Sequence, residues 1–474
     1  MSESLLEELS EARFGDLRLS KRLGKIADRL EKKPNLSIPG ATEKRAEMEA
    51  AYRFFDNGKV TPEAILEPHA RAARQRIAAA EVVLLVQDTT ELDLTRPDQQ
   101  VQGVGPLDCE TRFGMHYHPL IAFRPDGLCL GSLWSKSWAR EAIVKRTEAE
   151  KVKQRKAKPI EEKESLRWLE GVRAAREVAE ACPQTQCVCV ADSEADIYEL
   201  FTEPRAFRDG GELHLLIRAC QDRALSEVEG CLLAAVRATP CLAHNSVDVS
   251  ARRPKIRIRE IKRQAAREAR IAEVEIRATT VTLQPPPRPD RKLLAVTINV
   301  VLVEEVNPPA GAEPIQWLLI TTLPIGDVNE VLLIVQYYPI RWQIEVYFRT
   351  LKSGCRVESR YFERVGRLSN CLAVYSIVAW KILYLCRLSR ECPDLDCEVI
   401  FEPAEWKAVY VAVRSKELPK TPPSLNEIVR MIASLGGYVI RKSTQPGTQT
   451  LWIGLQRLHD LATAWKVFGP ENRK

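Results

Sequence analysis

Apolar positions fall along this chain in distinct textures. Near the start they keep helical spacing: Leu19, Leu23 and Ile26 share one face while Arg18, Lys21, Arg22 and Lys25 point elsewhere. The spacing predicts a helix over 3–33, stopped by Pro34, and further helices over 43–55 and 61–80. Unbroken apolar runs of strand length follow. One covers 81–87 and ends at Asp88; another covers 187–191 and ends at Asp192. Such runs mark strands buried on both faces. Strands are also predicted over 114–123, 128–134 and 213–218, and from Trp317, with a helix over 193–200. The Lys- and Glu-rich stretch 141–164 reads as a solvated connection or helix.

From about 245 to 305 the texture is β again, with Val274 and Ile276 alternating against Glu273, Glu275 and Arg277. A Pro-rich break covers 285–289. After Pro324 the pattern is helical to the end, with linkers near 388–400 and at 419–423. There Ile428, Ile432 and Leu435 form a stripe that suits either a core or a dimer seam. The fold class expected is α/β, a sheet flanked by helices with helical units at both ends.

Composition adds little until it is resolved by segment. The 474 residues suggest roughly two to four structural units. The net charge is +6, from 70 basic against 64 acidic side chains. Between Arg252 and Lys292 stand 13 basic and 5 acidic residues, more than the whole excess. Thirteen cysteines without a Cys-x-x-Cys pair argue against a disulfide framework or zinc cage. The acidic start is the reverse of a signal peptide, and the apolar stretch 371–386 is too short for a bilayer. A reducing cytoplasm is expected, with no membrane.

Candidate chemistry lies in carboxylates. Asp88 and Asp192 each end a buried strand, and Glu345 arrives in Tyr338-Pro-Ile-Arg341-Trp-Gln-Ile-Glu345. At 100° per residue, Arg341, Glu345 and Lys352 fall within about 60° on one helical face. Ile344, Phe348 and Leu351 form a neighbouring apolar stripe. Pro339 keeps Tyr338 out of helical geometry, and Gly354 suits a helix terminator. Singly, Asp192 could be an N-cap, Asp88 a turn residue, and Glu345 the partner of Arg341. Together the three carboxylates are the oxygen set that holds divalent cations, with a cationic and aromatic rim for phosphates.

These motifs resemble the Asp-Asp-Glu transposases of the insertion-sequence-four family, the transposon-Tn-five-like group. The resemblance rests on Asp88-Thr-Thr-Glu-Leu-Asp93, Asp192-Ser-Glu-Ala-Asp196 and the Tyr-x2-Arg-x3-Glu-x6-Lys spacing of Tyr338 to Lys352. Phe14-Gly-Asp-x-Arg-Leu, Gly114-x3-His118, Lys163-Glu-Ser-x2-Trp168 and Leu451-Trp-Ile-Gly-Leu-Gln-Arg457 extend it along the chain.

The resemblance implies an RNase H-like core over 76–387 with a β insertion at about 245–315. It also implies a DNA-binding unit over 1–75 and a helical dimerisation unit over 388–474. Asp88, Asp192 and Glu345 would hold two Mg²⁺ ions, with Mn²⁺ able to substitute. Tyr338, Arg341 and Lys352 would contact phosphates, and Trp317 would fill the place of a flipped base. The partners implied are double-stranded DNA, as transposon inverted-repeat ends and target, and a second copy of the chain. The activity implied is cut-and-paste transposition by 3′-end hydrolysis, hairpin formation and strand transfer, at the bacterial nucleoid. Ser193 departs from relatives that carry Arg there.

Charge adds Arg18 and Arg22 on the first helix, and Arg257, Arg259, Lys262 and Arg263 in the basic segment, as DNA contacts. The alternative is a catalytically silent inhibitor or decayed copy, and Met48 offers an internal start that would delete the basic helix. A host RNase H-like nuclease would cleave without end specificity. His116-x-His118 near Cys109 suits packing better than zinc. Neither a P-loop nor a Gly-x-Ser-x-Gly motif occurs.

Overall fold

The computed structural model describes residues 5–98, 100–109, 111–141, 158–208, 210–226, 229–251, 266–441 and 443–470. The chain divides into two compact units: Met1–Lys145, Glu177–Thr185 and Trp342–Lys474 form the first, Arg146–Arg176 and Gln186–Arg341 the second.

In the first unit the opening pattern folds into helices, with one correction. The expected helix over 3–33 is broken: short turns over Leu5–Glu8 and Leu9–Glu11 precede a helix over Leu17–Lys32. Gly15 takes φ +70°, and the Asp16 side chain accepts the Arg18 amide as an N-cap, so local capping outcompetes helix continuation. Leu23, Ile26, Ala27 and Leu30 form its buried face. Helices Arg45–Phe55 and Pro62–Ala78 follow close to the expected bounds.

The strands of this unit are antiparallel. β1 (Val82–Gln87) and β2 (Thr90–Asp93) pair along successive stretches of β4 (Phe113–Phe123). β5 (Cys129–Trp138) and the short β3 (Gly105–Pro106) also pair with β4. Pairing lapses at Asp88 and Thr89. In register Asp88 would face Pro119, which has no N–H to donate, so the ladder opens where the carboxylate leaves the strand.

The Val365–Glu391 helix is long and apolar enough to cross a membrane, longer than the stretch read from sequence. Its apolar window is 89% buried in protein, which makes it the core helix of the unit. It also runs into the expected 388–400 linker. Helices Pro403–Arg414, Leu425–Leu435 and Thr448–Phe468 close the chain around Trp406, Ile428, Ile432 and Leu451. The Ile428–Ile432 stripe is therefore core, with Leu435 packed against it.

The second unit carries a mixed sheet. β6 (Gln186–Ala191) runs parallel to β7 (His214–Arg218), and β7 is antiparallel to β11 (Gln316–Thr321). Outward from β11 come β10 (Val296–Glu305), β9 (Arg270–Leu283) and β8 (Ala243–Val249), all antiparallel. The expected helix over 193–200 is two pieces, a 3₁₀ turn over Ser193–Ala195 and a helix over Tyr198–Thr202. Asp196 causes the break: its buried carboxylate accepts the Cys220 and Gln221 amides and pairs with Arg223. The Lys- and Glu-rich reading of 141–164 lies mostly outside the described residues.

Candidate active site

In the first unit Asp88 is nearly buried at the end of β1, 7% exposed, and accepts the Thr89 amide at 2.7 Å. A buried brace holds its neighbours. Thr89 Oγ1 is 2.8 Å from His118 Nδ1, and His118 Nε2 is 3.0 Å from Gln87 Oε1. His118 thus ties together the residues on either side of Asp88 from the opposing strand. His116 stacks on Trp138 with ring centroids 5.2 Å apart. His116 is a stacking residue and His118 a hydrogen-bonded brace.

Glu345 is exposed on the short helix Gln343–Arg349, whose Ile344, Phe348 and following Leu351 are buried as expected. The single helical face drawn through Arg341, Glu345 and Lys352 does not survive. Tyr338–Trp342 is a 3₁₀ turn and Thr350–Gly354 a π-helical turn, so 100° per residue fails at both ends. The π turn presents Lys352, half-buried and 3.9 Å from Glu358 Oε1. Burial holds its ammonium below the usual lysine range, while Glu358, Glu91 and Glu345 pull it back up.

Arg112 joins this field. Its guanidinium binds Asp93 at 2.9 Å, Glu91 at 3.2 Å and Asp108 at 2.6 Å. Glu358 also accepts the Asp93 amide at 2.9 Å. Gly354 does not end the segment by its own conformation; the left-handed residue is Arg356, at φ 52°.

In the second unit Asp192 ends β6 and caps the 3₁₀ turn, accepting the Glu194 amide at 2.8 Å. The N-cap reading of this residue is met, yet its carboxylate also acts on Tyr338. Burial pushes the Tyr338 phenol above its usual range, opposed by Arg341 and Arg218 and reinforced by Asp192. Tyr338 takes helical angles, φ −59° and ψ −42°, against the expectation from Pro339. Its amide bonds to Ile334 O and its ring is buried, which together outweigh the steric preference of Pro339. Arg341 is buried beside it, and Trp317 on β11 is half-buried with its ring against Tyr338.

Arg18 is 91% exposed and paired with its own N-cap Asp16 at 3.0 Å. Arg22 lines a groove of about 240 Å³ with Lys25, Ile26 and Arg29. Arg257, Arg259, Lys262 and Arg263 lie outside the described residues. Sequence reading missed Arg218, the His118 brace and the Arg112–Asp93–Glu358 network. Each is assembled by tertiary contacts between segments distant in sequence, which one-dimensional spacing does not carry.

Models of known families match three stretches of this chain. The transposase DNA-binding model matches residues 1–60, the transposase DDE domain 139–375, and the transposase Tn5 dimerisation domain 377–466. The chain belongs to the Tn5-like DDE transposases.

It is a DNA transposase, with DNA and a second copy of itself as partners. A DDE transposase domain works with divalent metal, and carboxylate oxygens are the ligand chemistry a hard cation takes. Asp88, Asp192 and Glu345 all offer carboxylate oxygens, and two of them stand at strand ends. The solved structures also yield a match to a cryo-EM structure of a piggyBac transposase synaptic complex with hairpin DNA. It is 9% identical, with 82% of this chain and 74% of that chain covered, at a TM-score of 0.36.

Proposed function

We propose that Asp88, Asp192 and Glu345 together ligate two Mg²⁺ ions, with Mn²⁺ in substitution, and that the reaction runs by 3′-end hydrolysis, hairpin formation and strand transfer. When bound, the ions supply Lewis-acid activation of the attacking oxygen and of the leaving 3′ oxygen. Arg341 and Lys352 hold phosphate oxygens by charge, and the Tyr338 hydroxyl donates a hydrogen bond to the same backbone. Trp317 offers an indole face to a base displaced from the duplex end. The His118 brace keeps Asp88 in its ligating pose.

Residues 1–75 read the transposon ends, with Arg18 and Arg22 as phosphate contacts, and 388–474 dimerise. The core spans 76–387, with the β insertion at about 245–315 carrying Arg257, Arg259, Lys262 and Arg263 to flanking DNA. The site of action is the nucleoid of a bacterial cytoplasm.

What supports this reading most is the company of Asp192. An acid at the end of a buried strand stands in the field of Tyr338 and Arg341, the kind of rim a phosphodiester needs. Incubating the purified protein and Mg²⁺ with duplexes bearing the element's terminal repeats tests it. Double-strand breaks at the ends are expected. Binding without cleavage, or nicking without end preference, overturns it.

A further inference from the structure

Away from these carboxylates, one group of ligand-type side chains stands together among the described residues. The Sγ of Cys241, the imidazole of His244 and a carboxylate oxygen of Glu275 all lie within 4.8 Å of one another. Strand register builds the group. β8 pairs with β9 so that His244 is directly opposite Glu275, and residues so paired share one face of the sheet. Cys241 lies two residues before β8, with Sγ 3.3 Å from Ala243 O and 3.8 Å from His244 Nε2.

That last distance is close to the spacing of two ligands on one metal. Zn–S and Zn–N bonds of about 2.3 and 2.0 Å at a tetrahedral angle put the two ligand atoms about 3.5 Å apart. Arg277 binds Glu275 through Oε2 at 2.7 Å, so a metal would take Oε1. Thiolate and imidazole select a borderline-soft ion and disfavour Mg²⁺. His244 is exposed and the other two are half-buried, so an ion can reach all three and keep water as a fourth ligand.

We propose that Cys241, His244 and Glu275 form a Zn²⁺ site that clips the start of β8 to β9. On binding, the Cys241 thiol releases its proton to solvent and the thiolate bonds the metal. The clip uses none of the proposed catalytic carboxylates and acts on the stiffness of the β8–β9 pair, whose connection carries the basic residues Arg252 to Arg263 in the sequence.

Cobalt titration of the full-length protein, stripped by chelator and held in excess Mg²⁺, tests this. Co²⁺ is expected to bind at one equivalent with a sulfur-to-cobalt charge-transfer band, which carboxylates alone cannot give, and Zn²⁺ to displace it. Cys241→Ser removes the band, while His244→Gln and Glu275→Gln weaken Co²⁺ binding roughly tenfold or more. Far-UV circular dichroism establishes that each variant is folded. Zn²⁺ is also expected to raise hydrogen-exchange protection of β8 and β9 in the wild type and not in Cys241→Ser. Absence of the band, its persistence in Cys241→Ser, or equal protection in both proteins overturns the proposal.

Discussion

The indole of Trp317 and the phenol ring of Tyr338 stand 5.6 Å apart, tilted by 57°, and tie β11 to the turn that carries Arg341. Tyr338 is buried and fixed, whereas Trp317 keeps part of its surface in solvent. The pair therefore has one anchored ring and one presented ring. A displaced base would stack on the second.

Stacking on an aromatic side chain is worth about 1–3 kcal/mol per base. Trp317→Ala is expected to slow hairpin formation on end duplexes about tenfold or more, while first-strand nicking stays near the wild-type rate. Denaturing gels of end-labelled substrate separate the two steps. Equal losses in both would contradict a base-stacking role.

Glu8 anchors the opening turn of the chain. Its side chain is 6% exposed, bonds to His69 Nδ1 and pairs with Arg76 at 3.3 Å. Burial alone would raise its pKa, but His69 and Arg76 outweigh it and bring it down to about 2. Since the folded value lies below the ordinary one, the stability from ionised Glu8 is present above about pH 4.5 and lost as pH falls toward 2. His69 adds to the same trend. Burial depresses its pKa, and its Nε2 accepts the Ser132 amide at 3.0 Å, which protonation would break. Glu8→Gln should cost on the order of 3–5 kcal/mol at neutral pH in urea denaturation. The gap to wild type should narrow below pH 4.5; a pH-independent gap would contradict the charge argument.

Glu31 works with the opposite sign. Burial pushes its carboxyl up to about 7, with Lys381 opposing and Asp28 and Glu405 reinforcing the rise. A raised folded value means the folded state is penalised as pH climbs through 4.5–7, with the full penalty present above that window. Glu31→Gln should stabilise by roughly 1–2 kcal/mol at pH 8, a figure reduced for its partial exposure, and have little effect near pH 4. Denaturation midpoints at the two pH values check this. Destabilisation at pH 8 would contradict it.

Gly354 closes the π turn that presents Lys352. A Cβ there would meet Trp452 Cε3 at 2.9 Å, and Trp452 is 5% exposed on the C-terminal helix. Gly354→Ala gains at most about 1 kcal/mol of helix propensity against about 1–3 kcal/mol of overpacking. A lower denaturation midpoint is expected. A rise would mean that Trp452 yields easily.

Sequence reading located what local pattern controls. The strands ending at Asp88 and Asp192 were legible because apolar runs of strand length, each closed by an Asp, suit a strand buried on both faces. The family was legible because its motifs pair those ends with the spacing from Tyr338 to Lys352. The segment 338–354 was misread because a constant helical period was assumed where the chain uses a 3₁₀ turn, a short helix and a π turn. The break at Gly15 and Asp16 was missed for a related reason: a single cap overrode a long periodic pattern. Arg218, His118 and Cys241–Glu275 were out of reach, since only the three-dimensional fold brings them to their partners.

The central claim is that three carboxylates act as one catalytic set. Single-turnover end cleavage with Mg²⁺, measured beside end binding for Asp88→Asn, Asp192→Asn and Glu345→Gln, tests it most directly. Each variant should bind the terminal repeats as the wild type does and lose cleavage by roughly a thousandfold or more. Appreciable Mg²⁺-dependent end cleavage by any one of the three would contradict the account.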